Sequence, residues 1–320
     1  MKERGVSMAK YRDNLPQLAG KTMLTDGGLE TTLVFHDGYD LPEFAAYVLL
    51  ESEEGIEHLK RYLRTYAKIA QEAGVGFLLE SPTWRASQNW GNVIGHSPED
   101  LDRLNQKSIK ILEDLRAEFE SDDCPYVISG QIGPEGDGYN PEKFLTALEA
   151  EKYHRPQIKS FTEAGADMVS ALTMTYVEEA VGVAKAAEAQ GIPAVISFTV
   201  ETDGKLPSGQ SLKDAIGQVD AATGEYPAYY MINCAHPSHF SNALEKGAAW
   251  TGRIRALRAN ASKMSHEELD NAEELDDGNP VEFGAEHAAL REKLPNLSVL
   301  GGCCGTDHRH IAEIAKAWQG

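Results

Sequence analysis

Residues 167–199 read DMVSALTMTYVEEAVGVAKAAEAQGIPAVISFT. A short apolar run, Asp167–Leu172, gives way to helix-period spacing over Val177–Gly191, and a second apolar run, Ala194–Thr199, follows. Short apolar runs around a longer amphipathic segment that ends in Gly read as strand, helix and strand. The same alternation extends in both directions. Further strands are expected at Lys21–Thr25, Val75–Leu79, Tyr126–Ser129, Tyr229–Ile232, Arg255–Arg258 and Ser298–Leu300. Helices are expected over Ile56–Gly74, Pro98–Glu120, Pro141–Gly165 and the region after Pro237, several closing on Gly as in EAGVG, EAGAD and AQGIP. Eight strands alternating with helices predict an α/β fold, a single-domain (β/α)8 TIM barrel over residues 21–320 behind an N-terminal extension, 1–20. An open doubly wound sheet is the competing architecture. The Gly-rich G-x-G-x-x-G turn that usually marks it is absent after the first strand.

Composition narrows the function. The chain has 320 residues, 42% hydrophobic and 25% charged, and a net charge of −20, which works against nucleic acid or an anionic membrane as partner. Its N-terminus lacks an apolar signal core and no apolar run is long enough to span a bilayer, so a cytoplasmic protein is expected. The acidic run Glu267–Asp277 reads as a solvated helix face or loop, and the chain ends soon after its last helix without an arm for dimerisation. Four cysteines are too few for a disulfide framework at this length; in a cytosolic setting they point to metal or catalysis.

In such a barrel chemistry sits where strands end. The residues there are Asp26-Gly27-Gly28, then Glu80 with Pro82-Thr83-Trp84-Arg85, Gly130–Pro134, Thr173–Thr175, Glu201 with Asp203-Gly204, Asn233-Cys234, Asn260, and Gly301-Gly302-Cys303-Cys304-Gly305. Three of the four cysteines fall on this face; Cys124 precedes the third strand and reads as structural. Three readings of Cys303-Cys304 are open. A vicinal disulfide is strained, because adjacent Cα atoms lie about 3.8 Å apart, below the range disulfides prefer. Two small buried residues in a tight Gly loop is the plain alternative. The third is a metal site, with Cys234 joining them across about 10 Å between the ends of strands six and eight. Three thiolates make a zinc shell with one position open, and the flanking glycines are expected to let the backbone turn so that both cysteines face inward. Such a site suits a thiol substrate, held as thiolate and poised to attack carbon.

GGCCGTDHRHI (301–311), INCAHP (232–237), LTDGGLET (24–31), SGQIGP (129–134) and SFTVETDGKLPSG (197–209) together resemble the homocysteine S-methyltransferase family, from about residue 20 onward. The resemblance implies a (β/α)8 barrel with Zn2+ on Cys234, Cys303 and Cys304. It implies that Asp26, Gly27 and Gly28 line the homocysteine pocket, and that a methyl group passes from a small-molecule donor to zinc-bound thiolate, giving methionine. A small-molecule thiol and a methyl donor are the expected partners. One position departs from the family: Leu172 stands where a Glu usually receives the substrate amine. Either another carboxylate replaces it, Glu80 first and Glu201 second, or the acceptor thiol lacks an amine. Trp84 offers an aromatic face to a cationic donor or packs in the core. Arg85 pairs with a substrate carboxylate or with Glu80 or Asp26. Asn260 binds substrate or stabilises a turn. His236 is a weak further ligand, and His308 and His310 read as surface or capping residues. A zinc hydrolase on the same barrel would favour His and carboxylate ligands, and a zinc or thiol sensor would bind without forming product.

Overall fold

The structure, a computed structural model, describes residues 9–139, 141, 143–272 and 274–320. Eight parallel strands pair in sequence order and close on themselves. They are β1 (Met23–Leu24), β2 (Gly76–Glu80), β3 (Tyr126–Ile132), β4 (Met168–Met174), β5 (Ala194–Phe198), β6 (Tyr229–Asn233), β7 (Ile254–Ala259) and β8 (Val299–Gly302). A helix follows each: α1 (Glu53–Glu72), α2 (Pro98–Phe119), α3 (Ala147–Ala164), α4 (Val177–Gln190), α5 (Leu212–Thr223), α6 (Pro237–Phe240), α7 (Pro280–Ala289) and α8 (His308–Gln319). The (β/α)8 expectation holds, and each strand falls on a stretch the sequence marks. Among the described residues no helix is long and apolar enough to cross a membrane.

Local chemistry sets the helix ends. Ser97 and Asp100 form a reciprocal cap on α2, with Pro98 in its first turn, and Thr146 with Glu149 does the same for α3. Gly165 and Gly191 close α3 and α4 in the left-handed conformation that only glycine adopts at little cost.

Two expectations need correction. The helix expected from Pro141 begins only at Ala147, because Thr146 caps it there, and residues 143–146 form a loop; residue 142 of the expected span lies outside the described residues. The region after Pro237 holds only the four-residue α6 and two 3-10 turns, Ser241–Ala243 and Ala249–Arg253, with Gly247 at φ 80° between them. The acidic run begins on a short helix, His266–Asp270; residues 271–272 and 274–277 are irregular, and residue 273 lies outside the described residues.

Strand parity divides the core. Met23, Leu78, Val127, Met168, Val195, Met231, Ala256 and Val299, one from each strand, belong to a buried cluster inside the barrel. The alternate residues face the helices in a second, larger cluster. Residues 11–19 close the lower end. Leu15 packs with the inner cluster, and fully buried Gln17 donates to Tyr229 Oη at 3.3 Å. The Tyr11 amide donates to Asp167 Oδ1 at 2.8 Å, and Asp167 is itself bound to Arg116 at 2.7 Å.

Candidate metal centre

Two residues above the apolar floor, the same parity turns Glu80, Ser129, Ser170, Ser197, Asn233 and Arg258 inward, and all six are buried. The apolar floor thus carries a polar layer at the end of the barrel where the strands stop. Ser129 and Ser170 hydrogen-bond to each other at 2.8 Å, and Ser197 donates to Asn233 Oδ1 at 2.6 Å.

Cys234, Cys303 and Cys304 converge above this layer, their sulfurs all within 4.8 Å of one another. Cys234 and Cys303 are drawn together as a disulfide pair with Cα atoms 5.5 Å apart, and Cys304 is free. The vicinal Cys303–Cys304 bridge does not form. Joined, the pair leaves one thiol; reduced, all three sulfurs face a single point. Three soft donors at that spacing, with Tyr139 Oη 3.6 Å from Cys304 Sγ and Asn233 Nδ2 4.0 Å from Cys303 Sγ, fit a thiophilic ion such as zinc. Burial pushes the Cys304 thiol above its ordinary pKa, so an ion would be needed to ionise it at neutral pH.

The backbone around the triad is strained. Thr173 and Cys234 have φ of 60° and 52°, and a β-branched residue in that region is a real outlier. The register of β4 against β5 slips between Ala171 and Met174, a bulge of the kind found beside active sites. Asn233 holds this arrangement. Its Oδ1 accepts from the Thr173 amide at 2.8 Å and its Nδ2 donates to Thr173 Oγ1 at 2.9 Å. The Cys234 carbonyl accepts from His266 Nε2 at 2.7 Å.

Two of the three glycines act differently from expectation. Gly301 and Gly302 are β8 residues without positive φ, and a Cβ on either would overlap Thr25 or Thr306. Close packing therefore requires them; of GGCCG only Gly305 is left-handed, at φ 77°. Gly28 is tight for the same reason, since a Cβ there would lie 2.6 Å from the Cys303 carbonyl oxygen. The DGG turn and the cysteine loop are thus in backbone contact.

Arg258, which the sequence reading did not single out, ties these loops together. Its Nε donates to the Gly302 carbonyl at 3.1 Å, and its Nη2 reaches the Gly27 carbonyl at 3.1 Å and Asp26 Oδ1 at 2.8 Å. Tyr62 donates to Asp26 Oδ2 at 3.2 Å. Glu80 shares the polar layer, yet neither of its carboxylate oxygens has a hydrogen-bond partner. Burial pushes its pKa up to about 7 against the opposing pull of Arg258. Leu172 belongs to the inner apolar cluster, so β4 offers no carboxylate at that position.

The remaining candidates divide. Asn260 is buried with Oδ1 unpartnered, while its amide donates to Ala235. Trp84 does not present an open face, because the Arg85 guanidinium lies 4.1 Å from its ring centre and 3.5 Å from that of Trp90. Arg85 donates to the Gly136 carbonyl rather than pairing with Glu80 or Asp26. Glu201 bonds His266 Nδ1 at 3.2 Å, one residue removed from Cys234. His236 is outside the triad: its Nδ1 caps α6 through Ser238 and its Nε2 faces Glu286. His308 is exposed, but His310 is fully buried, in a capping box with Asp307. Cys124 is buried and free before β3. A cleft of about 240 Å³ beside His236, Lys263 and Glu286 has none of the three cysteines in its lining.

Residues 23–318 match the profile of the family described as homocysteine S-methyltransferase. A homocysteine S-methyltransferase of Bacillus subtilis (strain 168) is 28% identical over 250 residues, 70% of this chain and 73% of its own. A selenocysteine Se-methyltransferase of Brassica oleracea var. italica is 27% identical over 325 residues, 93% of this chain and 89% of its own. The metallated form of the homocysteine methyltransferase MmuM from Escherichia coli superposes with a TM-score of 0.70 at 18% identity, covering 94% of this chain and 98% of that one. At that identity the likeness speaks for the fold.

Proposed function

Because the chain belongs to the homocysteine S-methyltransferase family, we propose that it moves a methyl group from a small-molecule donor to the thiol of homocysteine, giving methionine, with zinc held by Cys234, Cys303 and Cys304. The observation that carries this reading is the convergence of three thiols over a buried polar layer. Zinc bound there would supply a Lewis acid that keeps the acceptor sulfur ionised at neutral pH.

The chain's own residues supply position. Asp26, Gly27 and Gly28 would line the acceptor pocket, their turn fixed against the cysteine loop by Arg258. Glu80 and Asn260 offer unpartnered acceptors to polar groups of the substrate. Trp84 would act as a wall with Arg85 packed on it, and Glu201 through His266. On binding, the acceptor loses its thiol proton to solvent. In transfer a new sulfur–methyl bond forms as the donor–methyl bond breaks, and its electron pair leaves with the donor. Alignment of sulfur, carbon and leaving group at about 3–3.5 Å is the main contribution positioning makes.

A second reading has one observation in its favour: apolar Leu172 on the inner wall suits an acceptor thiol without an amine. A hydrolase is disfavoured by the all-sulfur donor set.

The test is calorimetric titration of reduced, zinc-loaded protein with L-homocysteine in buffers of different ionisation enthalpy, followed by assay for methionine with S-methylmethionine or glycine betaine. The expected result is one zinc per chain, lost in Cys303→Ser, release of about one proton on homocysteine binding, and methionine formation. A folded wild type that takes up no zinc and no thiol overturns the proposal.

A further inference from the structure

The polar layer is satisfied except at two charged residues. Ser129 pairs with Ser170, and Asn233 is bound by Ser197 and Thr173. What remains are both oxygens of Glu80 and Nη1 of Arg258, all buried and without a close hydrogen bond; the nearby Ser129 and Ser170 hydroxyls pull the Glu80 carboxyl down but do not offset its burial. The two residues reach in from β2 and β7, with β1 and β8 between their strands on one side of the ring. Arg258 attracts the Glu80 carboxylate without hydrogen-bonding to it, since its ion pair is with Asp26. A buried carboxylate and a buried guanidinium edge without partners are costly, and groups that bring opposite charge to each lower that cost.

We propose that Glu80 and Arg258 form the specificity-determining floor of the acceptor pocket, Glu80 taking an ammonium and the free Nη1 of Arg258 a carboxylate, so that the thiol this site accepts is an α-amino acid. This rests on the thiol methyltransferase reading above. A zwitterion answers both charges while adding no net charge to a closed site; a thiol carrying only one of the groups leaves the other residue unpaired. The guanidinium is already fixed, because Nε and Nη2 are anchored on the Gly302 and Gly27 carbonyls and on Asp26. Its remaining edge is therefore presented without loss of side-chain freedom on binding. Those same anchors place it one residue from Cys303, at the base of the cysteine loop.

The experiment compares three thiols on zinc-loaded protein by calorimetry: L-homocysteine, γ-mercaptobutyrate, which lacks the amine, and homocysteamine, which lacks the carboxylate. Homocysteine should bind about tenfold or more tighter than either truncated thiol, the worth of a buried charge-assisted hydrogen bond. Glu80→Gln should weaken homocysteine by a similar factor and leave γ-mercaptobutyrate unchanged. Arg258→Met should do the reverse, sparing homocysteamine. Since Arg258 also ties two loops and its variant can lose zinc or unfold, the wild-type ligand series and Glu80→Gln carry the test without it. Wild-type affinities for the three thiols within about threefold of one another, or a Glu80→Gln loss equal for homocysteine and γ-mercaptobutyrate, overturn the assignment and mean that buried water serves these groups. Absence of any thiol binding or proton release by zinc-loaded wild type overturns the methyltransferase reading itself, a different outcome from thiols bound without discrimination.

Discussion

Replacing Asn233 with Ala removes the clip that holds the ends of β4 and β6 together. The change strips an acceptor from the Thr173 amide at 2.8 Å and from the Ser197 hydroxyl at 2.6 Å, and a donor from Thr173 Oγ1 at 2.9 Å. Each group is buried, and an orphaned buried polar group costs about 1–3 kcal/mol. The two hydroxyls can rotate towards other partners, but the amide cannot, so a total of about 3–5 kcal/mol is expected rather than the full sum. Part of that loss returns as Thr173 leaves its left-handed conformation, worth about 1–2 kcal/mol. Such relaxation would shift the Thr173 hydroxyl that faces Cys234 Sγ at 3.9 Å and disturb the triad. Urea unfolding of reduced, metal-free protein measures the first effect, and competition for zinc with a chelator measures the second. The midpoint should fall at unchanged slope, and zinc affinity should drop by about tenfold or more. Asn233→Asp keeps both acceptor bonds and should lose less stability. A loss below about 1 kcal/mol in Asn233→Ala, with zinc affinity intact, would refute the idea that this side chain holds the strained backbone.

Two further expectations concern charge and packing. Burial raises Glu80 from 4.5 to about 7. Between those values the folded chain holds a proton that the unfolded chain has released, so this residue makes stability fall as pH rises. The full penalty, about 3 kcal/mol, is reached above pH 7. The ligand-free difference between wild type and Glu80→Gln isolates it from His236 and His287, both pushed down to about 4 by burial, whose effect has the opposite sign. Unfolding free energies of the two proteins that run parallel between pH 5 and 7 would contradict it. Gly28→Ala should cost about 1–3 kcal/mol and weaken zinc binding, because its Cβ meets a backbone carbonyl that cannot yield. Gly217→Ala, with open space around it, is the control, and equal effects in thermal melts would refute the packing argument.

Much of the barrel was legible because most strands are apolar runs and each helix has its cap or terminal Gly. The cysteine triad was legible because two of its members adjoin and the third follows a strand. Arg258 escaped notice because RALR reads as a weak strand with surface charges. Only barrel closure turns Arg258 inward against Asp26, a residue 232 positions earlier in the chain, and no local pattern encodes that contact. Tyr139 was missed for a similar reason: it lies just before the helix expected from Pro141, and only the fold brings its hydroxyl to Cys304. Of the glycines of GGCCG, Gly305 turns as expected, while Gly301 and Gly302 serve close packing: sequence shows that a side chain is missing, not whether rotation or space requires its absence. Leu172, noted as the departure from the family pattern, belongs to the inner apolar cluster, and its neighbour Thr173 gave no sign of the bulge it sits in.

Residues 11–19 stopper the lower end of the barrel, with Leu15 and Gln17 sealed against its inner wall. With that end filled, the route to the polar layer runs from the end where the strands stop. Whichever reactant lies deeper has to arrive first and depart last. On the proposed reading that reactant is the thiol, which would enter before the methyl donor and leave, methylated, after it.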